Sequence, residues 1–372
     1  MKKILFAIGS MGHGGTESQL LHLIKNLDKN EFDISVFLMQ SKGQLMDELK
    51  SLDITLYEGN FKPNKFRPFS YFSFFKCFFY LFWILIFNRF YLIQSYLPMV
   101  NFFAVIAGRL TCHRVWTGWR GMTYHQIKKP YLKILDSISN LLSNGINANA
   151  RTILEDKDLK ERFMSFKKST VIKNYIPKEN FFNISENKKV NERKKINIDK
   201  DDILLLCVSN LIPYKGYSDL LMSMTMLPKN FKLIFAGRDD GIGDDLHKYI
   251  SKKDLRDRVR YLGYCNKKEL DVFYQLADIY VCPSLTEGIS NSIIEALIYE
   301  LKIVATNAGG NSELLEDGKL GLICETSNPV DLKNKILLAS KNTKNIAFDR
   351  NYIYSKYSRM NMLNCYRKSW KI

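Results

Sequence analysis

Short apolar runs of strand character alternate with stretches of helical period along most of this chain, and that alternation leaves few architectures open. Lys3–Ile8 reads as a strand, followed by a glycine loop and a helix from Thr16 to Leu27, whose Leu20, Leu21, Leu23, Ile24 and Leu27 keep helical spacing. Phe32–Met39 (strand) and Gln44–Leu52 (helix) repeat the order, and an aromatic helix near Phe69–Asn88 follows. Tyr91–Ser95, Arg114–Thr117 and Gly145–Ala148 read as strands, with helices at Val100–Leu110 and Tyr131–Ser143 between them. A strand that returns beside its predecessor through a helix makes a parallel sheet, and loops at the strands' carboxyl ends then carry the ligand sites. A second series starts at Ile203–Ser209 and continues through Phe231–Ala236, Val259–Leu262, Ile279–Cys282 and Lys302–Thr306. At 372 residues the chain exceeds one ordinary core and suits two domains.

Composition narrows the class. The seven cysteines are scattered without a C-x-x-C pair, which argues against a disulfide framework or a zinc site and for a reducing compartment. Histidines are few and scattered, and no metal is expected. No signal peptide precedes the first strand, so the chain is expected to stay on the cytoplasmic side where it is made. The formal charge of +17 is uneven: from Gly59 to Leu135 there are 11 Lys and Arg and no Asp or Glu, and Phe61–Tyr91 is dense with aromatic rings. No nucleic-acid motif accompanies them, so nucleic acid is not expected as a partner. An anionic membrane surface fits both features, with cations at head groups and rings in the interface. Within Phe61–Tyr91 the longest uncharged run, Cys77–Asn88, is about a dozen residues where a spanning helix needs roughly 20. The aromatic helix is therefore read as lying on the membrane surface, the alternative being a helix of the domain core.

Glu287 and Glu295 bracket the segment most suited to chemistry. It follows the strand-like run Ala277–Ser284 and leads into a helix-like pattern from Ser292 to about Tyr299, with Ser290, Asn291 and Ser292 as N-cap types. Open amides at a helix N-terminus, with the positive end of its dipole, seat an anion such as a diphosphate. Carboxylates beside that seat repel phosphate unless aimed elsewhere, and sugar hydroxyls are such a target. A solvated helix with two ordinary glutamates is the plainer alternative. Lys215, in Ser209–Gly216 after the first strand of the second series, can set its ammonium against a diphosphate. Gly12-His13-Gly14-Gly15-Thr16-Glu17 allows a tight turn and close backbone approach, but Glu17 stands where a dinucleotide fingerprint needs glycine. Asp239-Asp240 and Asp244-Asp245 are read as loop residues, not metal ligands.

From Val208 to Cys324 these motifs, with the loop Thr306–Glu313, occur in an order that resembles retaining glycosyltransferases of the GT4 type, which have the GT-B fold; a weaker match covers the first half. The resemblance implies an α/β fold of two Rossmann-like domains with a cleft between them and a C-terminal helix that crosses back. The expected boundaries are 1–175 for the acceptor-side domain, 176–200 for a linker, 201–350 for the nucleotide-sugar domain and 351–372 for the crossing helix. It implies that Glu295 meets ribose, that Lys215 and the Ser290–Ser292 amides meet diphosphate, and that Glu287 holds the donor sugar. Gly14 and Gly15 belong to a loop facing the transferred sugar. The loops at Gly237-Arg238 and Gly263-Tyr264 line the nucleotide pocket, the second near the base. The family usually has Arg where this chain has Asn210; Arg238 either supplies that cation or stands in water. On the acceptor side Arg120 is expected to contact acceptor or phosphate, with a core-capping role as the alternative, and His13 to touch sugar or point to water.

The implied reaction moves a sugar, from UDP in preference to GDP, to a hydroxyl of a glycan or polyprenyl-linked glycan, with retention and without a metal or cofactor. Bacterial surface polysaccharide (capsule, O-antigen or lipopolysaccharide) is the expected product, made at the inner face of the cell membrane. Rival readings are a nucleotide-sugar epimerase of similar fold and a non-catalytic membrane-surface protein that binds glycan or nucleic acid.

Overall fold

A computed structural model describes residues 1–12, 14–62, 67–121, 131–155, 168–177, 181–341 and 350–372. The chain forms two compact units, one of Met1–Tyr175 with Arg359–Ile372, the other of Ile176–Ser358.

The first unit runs β1 (Lys2–Ile8), α1 (Gly15–Asn26), β2 (Phe32–Leu38), α2 (Met46–Lys50), β3 (Thr55–Glu58), α3 (Arg67–Phe87), β4 (Leu92–Tyr96), α4 (Pro98–Leu110), β5 (Val115–Trp119), α5 (Tyr131–Leu142), β6 (Gly145–Ala148), α6 (Arg151–Glu155) and β7 (Lys168–Val171). Its seven strands lie in the order β3-β2-β1-β4-β5-β6-β7, every pair parallel. Alternate side chains of β1 point to opposite faces, as the pleat requires. Ile4, Phe6 and Ile8 join a core with α1 and α2, whereas Leu5 and Ala7 join one with α3 and α4.

The second unit runs α7 (Glu186–Lys195), β8 (Ile203–Val208), a 3₁₀ turn (Pro213–Lys215), α8 (Tyr217–Met226), β9 (Phe231–Ala236), α9 (Gly243–Lys252), β10 (Val259–Tyr261), α10 (Lys267–Leu276), β11 (Ile279–Cys282), α11 (Asn291–Ile298), β12 (Lys302–Thr306), α12 (Gly310–Leu314), β13 (Leu322–Cys324), α13 (Pro329–Lys341) and α14 (Arg350–Lys356). Six parallel strands take the order β10-β9-β8-β11-β12-β13. The last helix, α15 (Arg359–Trp370), returns to the first unit, where Met362, Tyr366 and Trp370, spaced one turn apart, enter the core with Phe6 and Phe32.

Three expectations are corrected. Residues 176–200 are no linker: they belong to the second unit, and α7 is capped by Ser185, whose Oγ accepts from the Lys188 amide at 3.4 Å. Glu, Lys and Arg are strong helix formers, so polarity alone does not mark a loop. Arg193 ties this helix down, donating to the carbonyls of Leu276 at 2.9 Å and Asp202 at 2.7 Å and pairing with Asp278 at 3.1 Å. The stretch 351–372 is two helices, not one, and the return begins at Arg359. Asp244 and Asp245 lie in the first turn of α9 and not on a loop, and Asp239 caps its approach by accepting from the Gly241, Ile242 and Gly243 amides at 2.9–3.1 Å. Those amides hold the Asp239 carboxyl below its ordinary range. Among the described residues, no three His, Cys, Asp or Glu side chains gather where a metal ion would sit.

Candidate functional site

In the second unit the chain steps outward from β8 to β9 and β10, then returns to place β11 on the other side of β8. The loops leaving the carboxyl ends of β8 and β11 therefore diverge, and such a switch point is where parallel α/β sheets bind ligands. Lys215 comes from the loop after β8 and Glu287 from the loop after β11. Their side chains meet, Nζ to Oε1 at 2.6 Å, with 16% and 13% exposure.

The backbone explains how they meet. Gly216 has φ +72°, and a Cβ there would lie 1.8 Å from the Pro283 carbonyl oxygen, so only glycine lets these loops touch. The Leu285 amide donates to the Tyr214 carbonyl at 2.8 Å, and the Gly310 amide donates to the Glu287 carbonyl at 3.2 Å, joining the loop after β12. Burial works to lower the Lys215 pKa, but the carboxylate of Glu287 outweighs it and the net shift is upward from 10.5. The ammonium thus stays charged at neutral pH.

Glu295 lies in the second turn of α11. Its Oε2 accepts from the buried Tyr274 hydroxyl at 3.0 Å, and Oε1 stands 3.4 Å from Lys267 Nζ. Lys267 also pairs with buried Asp271 at 2.5 Å and lies over the Phe181 ring, 4.6 Å from its centroid. A capping box starts α10: Asn266 Oδ1 accepts from the Glu269 amide at 3.1 Å, and Glu269 returns a bond to the Asn266 amide at 2.8 Å. That cap sets Lys267 at the first helical position, one turn before Asp271. Ser290 is the N-cap residue of α11, but its hydroxyl pairs with that of Ser292 at 3.0 Å and makes no capping bond. Asn291 opens the helix.

Asn210 and Arg238 converge on one carboxylate. Asp240 accepts from Asn210 Nδ2 at 3.1 Å and from Arg238 Nε and Nη2 at 2.7 and 2.9 Å. Arg238 is therefore already paired, and it can meet a phosphate only by exchanging this bidentate partner. Gly237, at φ +155°, donates its amide to the Gly263 carbonyl at 2.9 Å, and a Cβ on it would lie 1.9 Å from the Ser209 carbonyl oxygen. Gly263 has φ +74°, and the Tyr264 ring beyond it is exposed.

In the first unit the switch point lies between β1 and β4. Gly14 is the N-cap of α1 and Gly15 its first residue. A Cβ on Gly14 would lie 2.1 Å from Glu17 Oε2, so the Glu17 side chain folds back against the glycine loop. His13 lies outside the described residues. Arg120 donates to the Tyr366 hydroxyl at 2.6 Å and the Ile172 carbonyl at 3.4 Å, and its guanidinium covers the Tyr96 ring at 5.4 Å. It is thus held by the last helix of its own unit.

The structure brings Lys215 to Glu287 and Asn210 to Arg238. Asp240, which joins the second pair, and Lys267, Asp271 and Tyr274, which gather at Glu295, were not among the expected site residues. The Asn-x-x-Glu capping signature at 266–269 was legible and places Lys267; Arg238 is two residues from Asp240, but nothing local tells that Asn210 joins them.

Residues 188–359 match the family described as glycosyl transferases group 1. An uncharacterized glycosyltransferase of Methanocaldococcus jannaschii is 30% identical over 189 residues, covering 49% of this chain and 48% of the relative. The N,N'-diacetylbacillosaminyl-diphospho-undecaprenol alpha-1,3-N-acetylgalactosaminyltransferase of Campylobacter jejuni is 30% identical over 181 residues, 45% of this chain and 46% of its own length. The chain spans about half or less of the length of the curated relatives it matches first, 48%, 36% and 35%. Among solved structures, Anabaena HepE in complex with UDP-glucose superposes with a TM-score of 0.85 over 100% of both chains at 17% identity, which speaks for a shared GT-B fold.

Proposed function

We infer, from the match of residues 188–359 to the glycosyl transferases group 1, a retaining transferase that moves a sugar from a nucleotide diphosphate to a hydroxyl of a lipid-linked glycan. The observation that carries this reading is the Lys215–Glu287 pair at the switch point of the second sheet. It offers a charged ammonium for a departing diphosphate and a carboxylate beside it for sugar hydroxyls. Glu295, oriented by Tyr274 and Lys267, takes the ribose hydroxyls. Ser290, Asn291 and Ser292 at the start of α11 offer amides to the phosphates. Gly237, Gly263 and Tyr264 border the nucleotide, with Asn210 and Arg238 beside them.

On the first unit we assign acceptor recognition to the edge beyond β1, β4 and β5, where Gly14, Gly15 and Arg120 stand, and to His13. The acceptor hydroxyl attacks the face from which the nucleotide leaves, and the departing phosphate takes its proton. No protein nucleophile enters this path, unlike the double displacement of retaining hydrolases, and no metal is assigned. UDP is the favoured nucleotide, in keeping with the UDP-glucose complex of the HepE structure. A polyprenyl diphosphate carrier accords with the diphospho-undecaprenol in the name of the Campylobacter relative. Surface polysaccharide synthesis at the anionic inner face of the cell membrane follows as the setting.

The test is titration calorimetry with UDP and GDP, then turnover of a panel of UDP- and GDP-sugars with the product anomer read by NMR. Lys215→Met is expected to weaken UDP binding far more than uridine binding. Glu287→Gln is expected to leave UDP affinity near that of the parent and slow transfer by about a hundredfold, the scale of a lost transition-state contact. Absence of nucleotide binding by the parent sinks the reading. Free epimer in place of transfer identifies an epimerase, and binding without any turnover a non-catalytic protein.

A further inference from the structure

The helix α3 has two apolar faces, and only one of them is used by the fold. Cys77, Leu81, Ile84 and Leu85 are buried against the sheet and α4, with Phe74 and Phe78 edge-on to Phe103 at 4.5 and 5.4 Å. On the other side Phe72, Phe75, Phe79, Trp83, Ile86 and Phe87 are each between 55% and 71% exposed. Their spacing of three to four residues draws one stripe along the helix, roughly 24 Å from Tyr71 to Phe87 at the helical rise. Isolated exposed apolar side chains are ordinary in proteins, whereas a contiguous aromatic stripe marks a contact surface.

We propose that this stripe lies flat in the interface of an anionic lipid bilayer and docks the protein there. This deepens the membrane setting of the function proposed above. Charge complementarity selects the occupant. Lys76 is exposed on the same helix and Arg89 just beyond its end, while Lys62 is exposed just before it. No acidic residue occurs from Gly59 to Leu135. Cations around an aromatic stripe match anionic head groups over an acyl boundary. A second copy of this chain would bring an equally basic face against the first. Among the described residues no helix is long and apolar enough to cross a membrane, and the buried face of α3 is already committed to the domain core, so the helix lies along the surface. Side chains of residues 63–70, Lys65 and Arg67 among them, lie outside the described residues.

Trp83 provides the readout, because the other three tryptophans, Trp116, Trp119 and Trp370, are buried. The full chain should sediment with vesicles of phosphatidylglycerol and phosphatidylcholine in equal parts, much less with phosphatidylcholine alone, and less as salt rises. Brominated acyl chains in those vesicles should quench the exposed tryptophan, and Trp83→Phe should abolish that quenching. The triple change Phe75→Ser, Phe79→Ser and Phe87→Ser should lower partitioning about tenfold or more, and Lys76→Gln with Arg89→Gln should flatten its salt dependence. UDP affinity should equal the parent's in every variant, and a parental melting temperature and far-ultraviolet circular dichroism spectrum certify the folding of the first unit. No partitioning of the parent, an unquenched Trp83, or a triple variant that sediments as well as the parent each overturns the proposal. A dimer in solution that the triple variant turns to monomer without loss of vesicle binding gives the stripe to a second copy and overturns it too. Vesicle binding without UDP binding would leave the docking surface standing and remove the transferase reading.

Discussion

Glu295 takes its orientation from side chains that the chain supplies at Tyr274 and Lys267, and Lys267 in turn neutralises Asp271. Removing that cation leaves Glu295 and the buried Asp271 without the counter-charge they share. Lys267 therefore acts on the proposed ribose contact through its neighbours. Lys267→Met should raise the UDP dissociation constant about tenfold, in line with roughly 1.5–3 kcal/mol for a hydrogen bond to a charged group. Glu295→Ala should do at least as much, and both should act on KM for the donor more than on kcat. Calorimetry and donor kinetics measure the split. If Lys267→Met binds UDP as the parent does, Glu295 is held well enough by Tyr274 alone. If neither change moves the affinity, ribose is bound elsewhere.

At the scale of elements, the site exists because loops of different strands touch. The turn after β8 reaches the end of β11 only through Gly216, whose backbone is left-handed and whose missing side chain makes room for the Pro283 carbonyl. Gly216→Ala has to strain that backbone and push the loops apart. A cost of about 1–3 kcal/mol for a non-glycine residue held in an unfavoured region is a lower bound here, because the clash adds to it. The expected outcome is a lowered melting temperature together with lost nucleotide affinity, since Lys215 moves with its turn. Thermal denaturation with and without UDP measures both. A stable Gly216→Ala variant with parental affinity would show that the loops do not need to touch. The same scale explains α3, whose composition looks uniform around its axis although the sheet covers one side only.

At the scale of the molecule, the first unit is completed by the last residues of the chain. Trp370 is fully buried and donates to Gln94 Oε1 at 3.1 Å, Ser369 donates to Asn147 Oδ1 at 2.7 Å, and the hydroxyls of Tyr366 and Tyr96 meet at 2.8 Å. Arg114 also donates to the Trp370 carbonyl at 3.0 Å. Trp370→Ala should destabilise this unit by about 3–5 kcal/mol, the usual loss for a large aromatic removed from a core. Chemical denaturation followed by circular dichroism should then show an early transition that belongs to the first unit. UDP binding, assigned to the second unit, should survive below that transition. Unfolding of the variant in a single transition at the parent's midpoint would mean that α15 only decorates the sheet.

Periodicity along the chain determined a great deal by itself. Gly145–Ala148 and Phe231–Ala236 are strands with the expected bounds, because a run buried on both faces carries its own apolar signal. The strands at Thr55–Glu58 and Lys168–Val171 escaped it as short edge strands of mixed polarity, and Leu322–Cys324 as an edge strand of three residues; each becomes a strand by pairing with a neighbour. The helix at Glu186–Lys195 escaped for the opposite reason, since it buries none of its residues and so shows no apolar stripe. Glycines at 216 and 237 and the serines at the start of α11 marked the loops of the candidate site, as local backbone demands are written locally. The pairing of Lys215 with Glu287 across 72 positions was not written there, nor the meeting of Asn210 with Asp240 across 30. A charge's partner depends on which strands lie side by side, and sheet order is a property of the folded chain. The same holds for α3: the sequence determined that it is aromatic and basic, and the packing of Leu81 and Ile84 on the sheet decided which rings are left to face outward.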